Sequence, residues 1–157
     1  MNNNIQQHLP AGIESGVEVF ASQNELYAIY NGSKIRFFNL PKDIIEAFRE
    51  EMLQNNIALK SLVKLNLTDP NAMLFQYVKC NYGGFNYEAD FLNNTLSKEY
   101  WDCGSRGTCP FEGKICGGIN TENQVITKQE LRFIKYLLCG LADKEIADRL
   151  GIAVVLL

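Results

Sequence analysis

Short β-prone runs dominate the start of the chain, and helical spacing of apolar residues takes over after them. Val17 to Phe20, Glu25-Leu-Tyr-Ala-Ile-Tyr30 and Lys34-Ile-Arg-Phe-Phe38 are the β-prone runs. Asn31-Gly32-Ser33 separates the last two, and Asn and Gly tolerate the positive φ that a tight hairpin turn demands. The pattern predicts a hairpin with Val17–Phe20 as a further strand. Pro41 then opens a helix, where its missing amide hydrogen costs nothing. Ile44, Ile45, Phe48 and Met52 fall on one side of it, and Lys42, Glu46, Arg49 and Glu50 on the other. A second helix is predicted from Asn56 to Leu65. Thr68-Asp69-Pro70 caps and starts a third, carried by Met73, Leu74, Tyr77 and Val78. These elements predict a small α+β domain of hairpin and helices over residues 13–79. Residues 1–12, with the Asn and Gln run after Met1, offer nothing to bury and are expected to be a flexible tail.

From Cys80 the pattern breaks. Gly83-Gly84, Gly104, Gly107, Pro110, Gly113 and Gly117-Gly118 interrupt the chain too often for a long helix or sheet. Residues 80–119 are therefore expected to be a loop-rich segment. A short polar linker, Asn120 to Asn123, leads to a last unit at 124–157.

That last unit is helical. Thr127-Lys128-Gln129-Glu130 has the form of a capping box, and Leu131, Ile134, Leu137 and Leu138 follow at helical spacing. Gly140 supplies a left-handed stop. Asp143 to Leu150 makes a second helix, expected to bury Ile146, Ala147 and Leu150, and Gly151 ends it. Two short helices about a tight turn are the scaffold that presents a recognition helix to the major groove.

Ile126-Thr-Lys-Gln-Glu-Leu131, Cys139-Gly-Leu-Ala-Asp-Lys-Glu-Ile-Ala147 and Arg149-Leu-Gly-Ile-Ala153 resemble the DNA-binding domain of LuxR-type transcription regulators. The resemblance implies a helix-turn-helix, with Thr127, Lys128 and Lys144 as scaffold residues and phosphate contacts. Two positions depart from it: Ala142 and Ala153 stand where the family usually has a capping Ser or Thr. The missing cap at Ala142 costs about 1 kcal/mol, which Asp143 is expected to offset in part. Family members continue into a recognition helix and a fourth helix that supports dimers. Here the sequence stops at Val154-Val-Leu-Leu157, an apolar end that points to a chain shortened before its base-reading helix. Ile134, Ile146 and Leu150 are then expected to lack a packing partner.

The chain has five cysteines, an odd number that does not suit a disulfide framework in a sequence with no secretory signal. Cys80, Cys103, Cys109 and Cys116 fall in the glycine-rich segment, the last three as C-x5-C-x6-C. Four thiolates complete a tetrahedral zinc site or hold an iron–sulfur cluster. Zinc is the preferred cofactor because a structural metal suits a small loop-rich module, where its binding energy is folding energy. An iron–sulfur cluster is the alternative, since the spacing is similar to the cluster cysteines of Rrf2-type redox regulators. The remaining possibility is four unliganded thiols. Tyr100 and Trp101 are expected to pack around the site, and Cys139 to be a small core residue.

The formal net charge of −3 gives no bulk support to DNA binding, which rewards clustered positive charge. Lys34, Arg36, Lys60, Lys64, Arg106 and Lys114 read as ordinary surface charge. The only histidine, His8, lies in the tail, and no phosphate-cradling Gly-Lys-Ser/Thr loop occurs, so an enzyme is not expected. No apolar run approaches the roughly 20 residues that cross a bilayer, and a cytoplasmic protein is expected. The sequence thus points to a DNA-binding transcription regulator with a cysteine metal site as staple or sensor. DNA is the partner of a longer parent, with weak or no binding by this chain, and a homodimer or protein partner is compatible. The competing reading is a metal-binding interaction or sensor module with no DNA role.

Overall fold

The computed structural model describes residues 11–117, 126 and 128–153. The fold is α+β, with an antiparallel sheet and five α-helices among the described residues. Strands β1 (Val17–Ser22), β2 (Glu25–Tyr30) and β3 (Ser33–Arg36) form a meander. A short hairpin, β4 (Phe91–Leu92) and β5 (Thr95–Leu96), joins the free side of β1, so the strand order is β3-β2-β1-β4-β5. Each hairpin closes through two residues with positive φ: Gln23 and Asn24 (51° and 64°), Asn31 and Gly32 (49° and 72°), Asn93 and Asn94 (51° and 60°). Such turns match the right-handed twist of the strands they join. The third strand is shorter than the sequence pattern implies, because the chain turns into a 3-10 segment at Phe37–Asn39 that drives Phe37 into the core.

Alternation along the strands gives the sheet one apolar face. Val17, Val19, Leu26 and Ala28 meet three helices, α1 (Lys42–Gln54), α2 (Asn56–Lys64) and α3 (Pro70–Tyr82). Ile44, Phe48 and Met52 come from α1, Ala58 and Leu62 from α2, and Leu74, Tyr77, Val78 and Tyr82 from α3. The caps are in the chain: Asn55 Oδ1 accepts from Ala58 N–H at 3.0 Å and Asp69 Oδ2 from Ala72 N–H at 2.7 Å. Phe37, Phe48 and Tyr82 pack edge to face at 5.4 and 5.0 Å. The buried Tyr77 and Tyr82 hydroxyls both donate to Glu51 Oε2, at 3.2 and 2.6 Å, so the apolar core keeps its polar tips satisfied.

At β1 the segment after α3 closes the other face over two buried carboxyls. Glu18 Oε1 accepts from Asn86 N–H and Asp90 Oδ2 from Val19 N–H, each at 2.7 Å. Burial pushes Asp90 up to about 9 and Glu18 up to about 7, and the nearby Glu99 carboxylate adds to both.

Helices α4 (Lys128–Leu138) and α5 (Asp143–Leu150) are joined through Gly140, with φ 74°, and Gly151 ends α5 at φ 65°. Leu131, Ile146 and Ala147 are buried, so Ile146 has the packing partner that the sequence pattern denied it. Ile134, Leu137 and Leu138 of the same apolar stripe remain exposed, at 38%, 45% and 83%. Cys139 is also exposed rather than a core residue. At the α5 start the Ala142 side chain offers no acceptor, and Glu145 Oε2 accepts from Ala142 N–H at 3.2 Å, with Asp143 beside it in the first turn.

Two predictions follow from these arrangements. Asp90 and Glu18 hold their protons more tightly folded than unfolded, where their ordinary values are 3.8 and 4.5. The stability they confer is complete below those values and is lost as pH rises through about 7 and then about 9. The melting temperature of the wild type therefore falls between mildly acidic and alkaline pH, and Asp90→Asn, which cannot ionise, shows a shallower fall. Ala142→Ser supplies the missing half of the capping box and stabilises the α4–α5 unit by about 0.5–1 kcal/mol, measurable by amide exchange in α5.

Candidate functional site

The four candidate cysteines do not all lie in loops. Cys80 is in the last turn of α3, where its Sγ accepts from Gln76 Nε2 at 3.1 Å. Cys103, Cys109 and Cys116 follow on a chain of tight turns. Asp102 Oδ1 accepts from Gly104 N–H at 2.9 Å, Ser105 O accepts from Cys109 N–H at 2.9 Å, and Cys109 O accepts from Glu112 N–H at 3.3 Å. Cys116 is buried, Cys80 and Cys109 are half-buried, and Cys103 is exposed.

These turns sit on α3. Asn81, itself buried, donates through Nδ2 to Tyr77 O at 2.9 Å and to Ile115 O at 3.0 Å, fixing the chain beside Cys116 to the helix that carries Cys80. Ile115 completes the contact by entering the core. Trp101 donates from Nε1 to Lys79 O at 3.0 Å, next to Cys80 in sequence. The thiols are thereby gathered: burial, with Cys116, Cys103 and Cys109 adding to it, pushes the Cys80 thiol up to about 11. The gathering stops short of a coordination shell, because among the described residues no three His, Cys, Asp or Glu side chains converge closely enough to hold a metal ion. No disulfide joins the cysteines. The donor set fits a thiophilic metal in chemistry, and more than one of the turns that carry Cys103, Cys109 and Cys116 would have to close on Cys80 to complete it.

Arg106 was the residue least visible in the sequence. It reads there as surface charge, yet it is only 3% exposed. Its Nη1 donates to Cys116 Sγ at 3.2 Å and to Gly117 O at 2.8 Å, and its Nε donates to Trp101 O at 3.1 Å. Its guanidinium also lies 4.3 Å from the Tyr100 ring centre. Glu112 is its counter-charge at 3.6 Å, with both side chains buried, and Glu112 Oε2 accepts from Gly107 N–H at 2.7 Å. A buried cation is tolerated only when its donors are engaged, and the loop's carbonyls do that here. Burial raises the Cys116 thiol, and the positive charge of Arg106 pulls it back down.

The same turns hold α4. Lys135 Nζ donates to Arg106 O at 3.0 Å and pairs with Asp102 Oδ1 at 3.4 Å. Gly107, at φ 81°, leaves room for Arg132: a Cβ there would stand 2.7 Å from Arg132 Cγ. Asp102, Arg106 and Gly107 thus bracket Cys103 and reach α4 from both sides of it.

Of the residues expected to touch DNA, Lys144 is exposed in the first turn of α5. Lys128 begins α4, Thr127 lies outside the described residues, and so do His8 and residues 154–157. Among the described residues no helix is long and apolar enough to cross a membrane. Comparison of the chain with protein families, with curated proteins and with solved structures found no match.

Arg106→Ala strands the buried Glu112 carboxylate and is expected to cost about 3–5 kcal/mol in denaturant unfolding. Arg106→Lys keeps the charge but loses the planar fork, so it recovers only part of that loss. Equal stability of Arg106→Ala and wild type would show that the ion pair contributes nothing.

Proposed function

We propose that this chain is a DNA-binding transcription regulator in which the cysteine segment, holding a metal through Cys80, Cys103, Cys109 and Cys116, fixes the seat of the helix-turn-helix scaffold α4–α5. The observation that carries this reading is the contact of Lys135 and Arg132 with the turns between Cys103 and Cys109. A change at the cysteines moves these turns, and α4 rides on them. Zinc is the preferred metal, as a staple that converts binding energy into folding energy; an iron–sulfur cluster in the same thiols would make the seat redox-sensitive.

The chain's own residues have distinct tasks in this scheme. Arg106 steadies the Cys116 sulfur and offsets the negative charge that thiolates bring. Asn81 and Trp101 tie the turns to α3, so that Cys80 stays in place while the cysteine turns close on it. Lys144 and Lys128 supply phosphate contacts, which position a protein on duplex DNA without reading sequence. In LuxR-type proteins base reading falls to a recognition helix that such a scaffold presents, and this resemblance is the support for the DNA role. With a net charge of −3 the chain gives duplex DNA little bulk attraction, so binding is expected to rest on these few phosphate contacts and to be weak and salt-sensitive.

The test is metal analysis of protein purified without oxygen, joined to amide exchange of α4. The expected result is near-stoichiometric zinc without colour, and faster exchange across 128–138 after chelation. Lys135→Ala should leave the metal content unchanged and raise α4 exchange in the loaded protein. Protein free of both zinc and iron would overturn the metal site, and α4 exchange indifferent to chelation would overturn the coupling. Metal-dependent α4 exchange together with no duplex binding at low salt would favour the interaction-module reading.

A further inference from the structure

The helices α1–α3 cover one face of the sheet, and the opposite face carries aromatic rings that serve no core. By register, a single row across the strands runs from Arg36 on β3 to Tyr27 on β2 and Phe20 on β1. Phe20 and Tyr27 stack with centroids 5.8 Å apart, and Phe85, in the loop after α3, meets Phe20 edge-on at 5.2 Å. Lys34, in the neighbouring row, holds its Nζ 4.0 Å from the Tyr27 ring centre and 5.6 Å from that of Phe20. Phe85 and Tyr87 are 58% and 67% exposed, and Lys34 and Arg36 are exposed beside them. Phe20, Tyr27 and Phe85 all lie outside the hydrophobic core cluster.

The charge on this face is graded. Both cations stand on the edge strand β3, while Glu18, in the row of Lys34, is buried under Asn86, and Glu25, opposite Ser22, stands at the end of β2 away from Lys34. An anionic backbone is therefore drawn along β3, and what it carries falls across Tyr27, Phe20 and Phe85. Rings in a row with flanking cations suit unpaired bases on a phosphate chain, because every base has a face to stack and every linkage a charge to neutralise. A duplex hides its base faces and offers only its groove edges.

We propose that this sheet face binds single-stranded DNA, with phosphates along Lys34 and Arg36 and bases stacked on Tyr27, Phe20 and Phe85. The choice of DNA over RNA rests on the DNA role proposed for α4 and α5; the single-strand assignment rests on the rings and cations alone.

The test uses the whole chain and three fluorescein-labelled probes about 20 nucleotides long, oligothymidylate, oligouridylate and a mixed-sequence duplex, read by anisotropy. Oligothymidylate should bind about tenfold tighter than the duplex, and Phe85→Ala should weaken it fivefold or more. Phe85 is exposed, so an unchanged melting curve verifies that the variant folds. Lys34→Ala with Arg36→Ala should lower the slope of log affinity against log salt by about 1.4, the value for two single-strand phosphates. Lys60→Ala, at an exposed lysine on α2, should leave oligothymidylate binding unchanged, which shows that the affinity belongs to this face and not to charge at large, whether or not the duplex binds. The proposal is overturned by absent oligothymidylate binding, by binding indifferent to Phe85→Ala, or by oligouridylate binding as tight or tighter. A homodimer in sedimentation that Phe85→Ala dissolves would likewise overturn it, by giving the face to a second copy of the chain.

Discussion

A guanidinium buried to 3% exposure has to find partners for its donors inside the protein, and in this chain those partners organise the cysteine turns and their contact with α4. Arg106 draws in Trp101 O, Gly117 O and the Cys116 sulfur, and it faces the Glu112 carboxylate. A segment rich in glycine has little apolar area to bury and much backbone entropy to lose. Here a single cation converges its carbonyls, a sulfur and a carboxylate on one point. The carbonyl of the same residue then accepts from Lys135, so the point that orders the cysteine turns also receives α4.

Helix α3 is the rigid member on which this rests. One face of it fills the core with Leu74, Tyr77, Val78 and Tyr82, while Cys80, Asn81 and the Lys79 carbonyl turn toward the cysteine segment. The two halves of the chain therefore share a helix rather than a linker. Sheet, helices and cysteine turns are joined further by β4 and β5, which extend the same sheet, and by Asp90, whose carboxyl accepts from Val19 N–H on β1. A disturbance at the cysteines thus meets a stiff support on the α3 side and a lighter one, two contacts of Lys135 and the closeness of Arg132, on the α4 side. The asymmetry is why the proposed coupling to the cysteines runs through α4.

Local chemistry made much of this readable from the residues. The α+β class, the three helices after Pro41 and the Asn31-Gly32 hairpin rest on periodicity, caps and one turn dipeptide, all of which act within a few residues. The turn at Gln23-Asn24 carries no glycine, and β4 and β5 have two residues each, too few for any alternation to show. Asn93-Asn94 was the available signal, since Asn visits positive φ more readily than most residues. Arg106 and the pair Glu18 and Asp90 escaped for a different reason. Burial of a charge is decided by partners distant in sequence, such as Val19 with Asp90, and no local pattern records it. The four cysteines were legible as a set, but not that one of them stands on a helix.

The central claim is that Cys80, Cys103, Cys109 and Cys116 close on one metal while Cys139 does not, and native thiol titration tests it directly. Cys103 and Cys139 are both exposed in this structure, so solvent access alone makes them alike. The account predicts that protein purified without oxygen shows one fast-reacting thiol, Cys139, and that chelation adds the exposed Cys103 as a second. Fast modification of Cys103 alongside Cys139 before any chelator is added would contradict it.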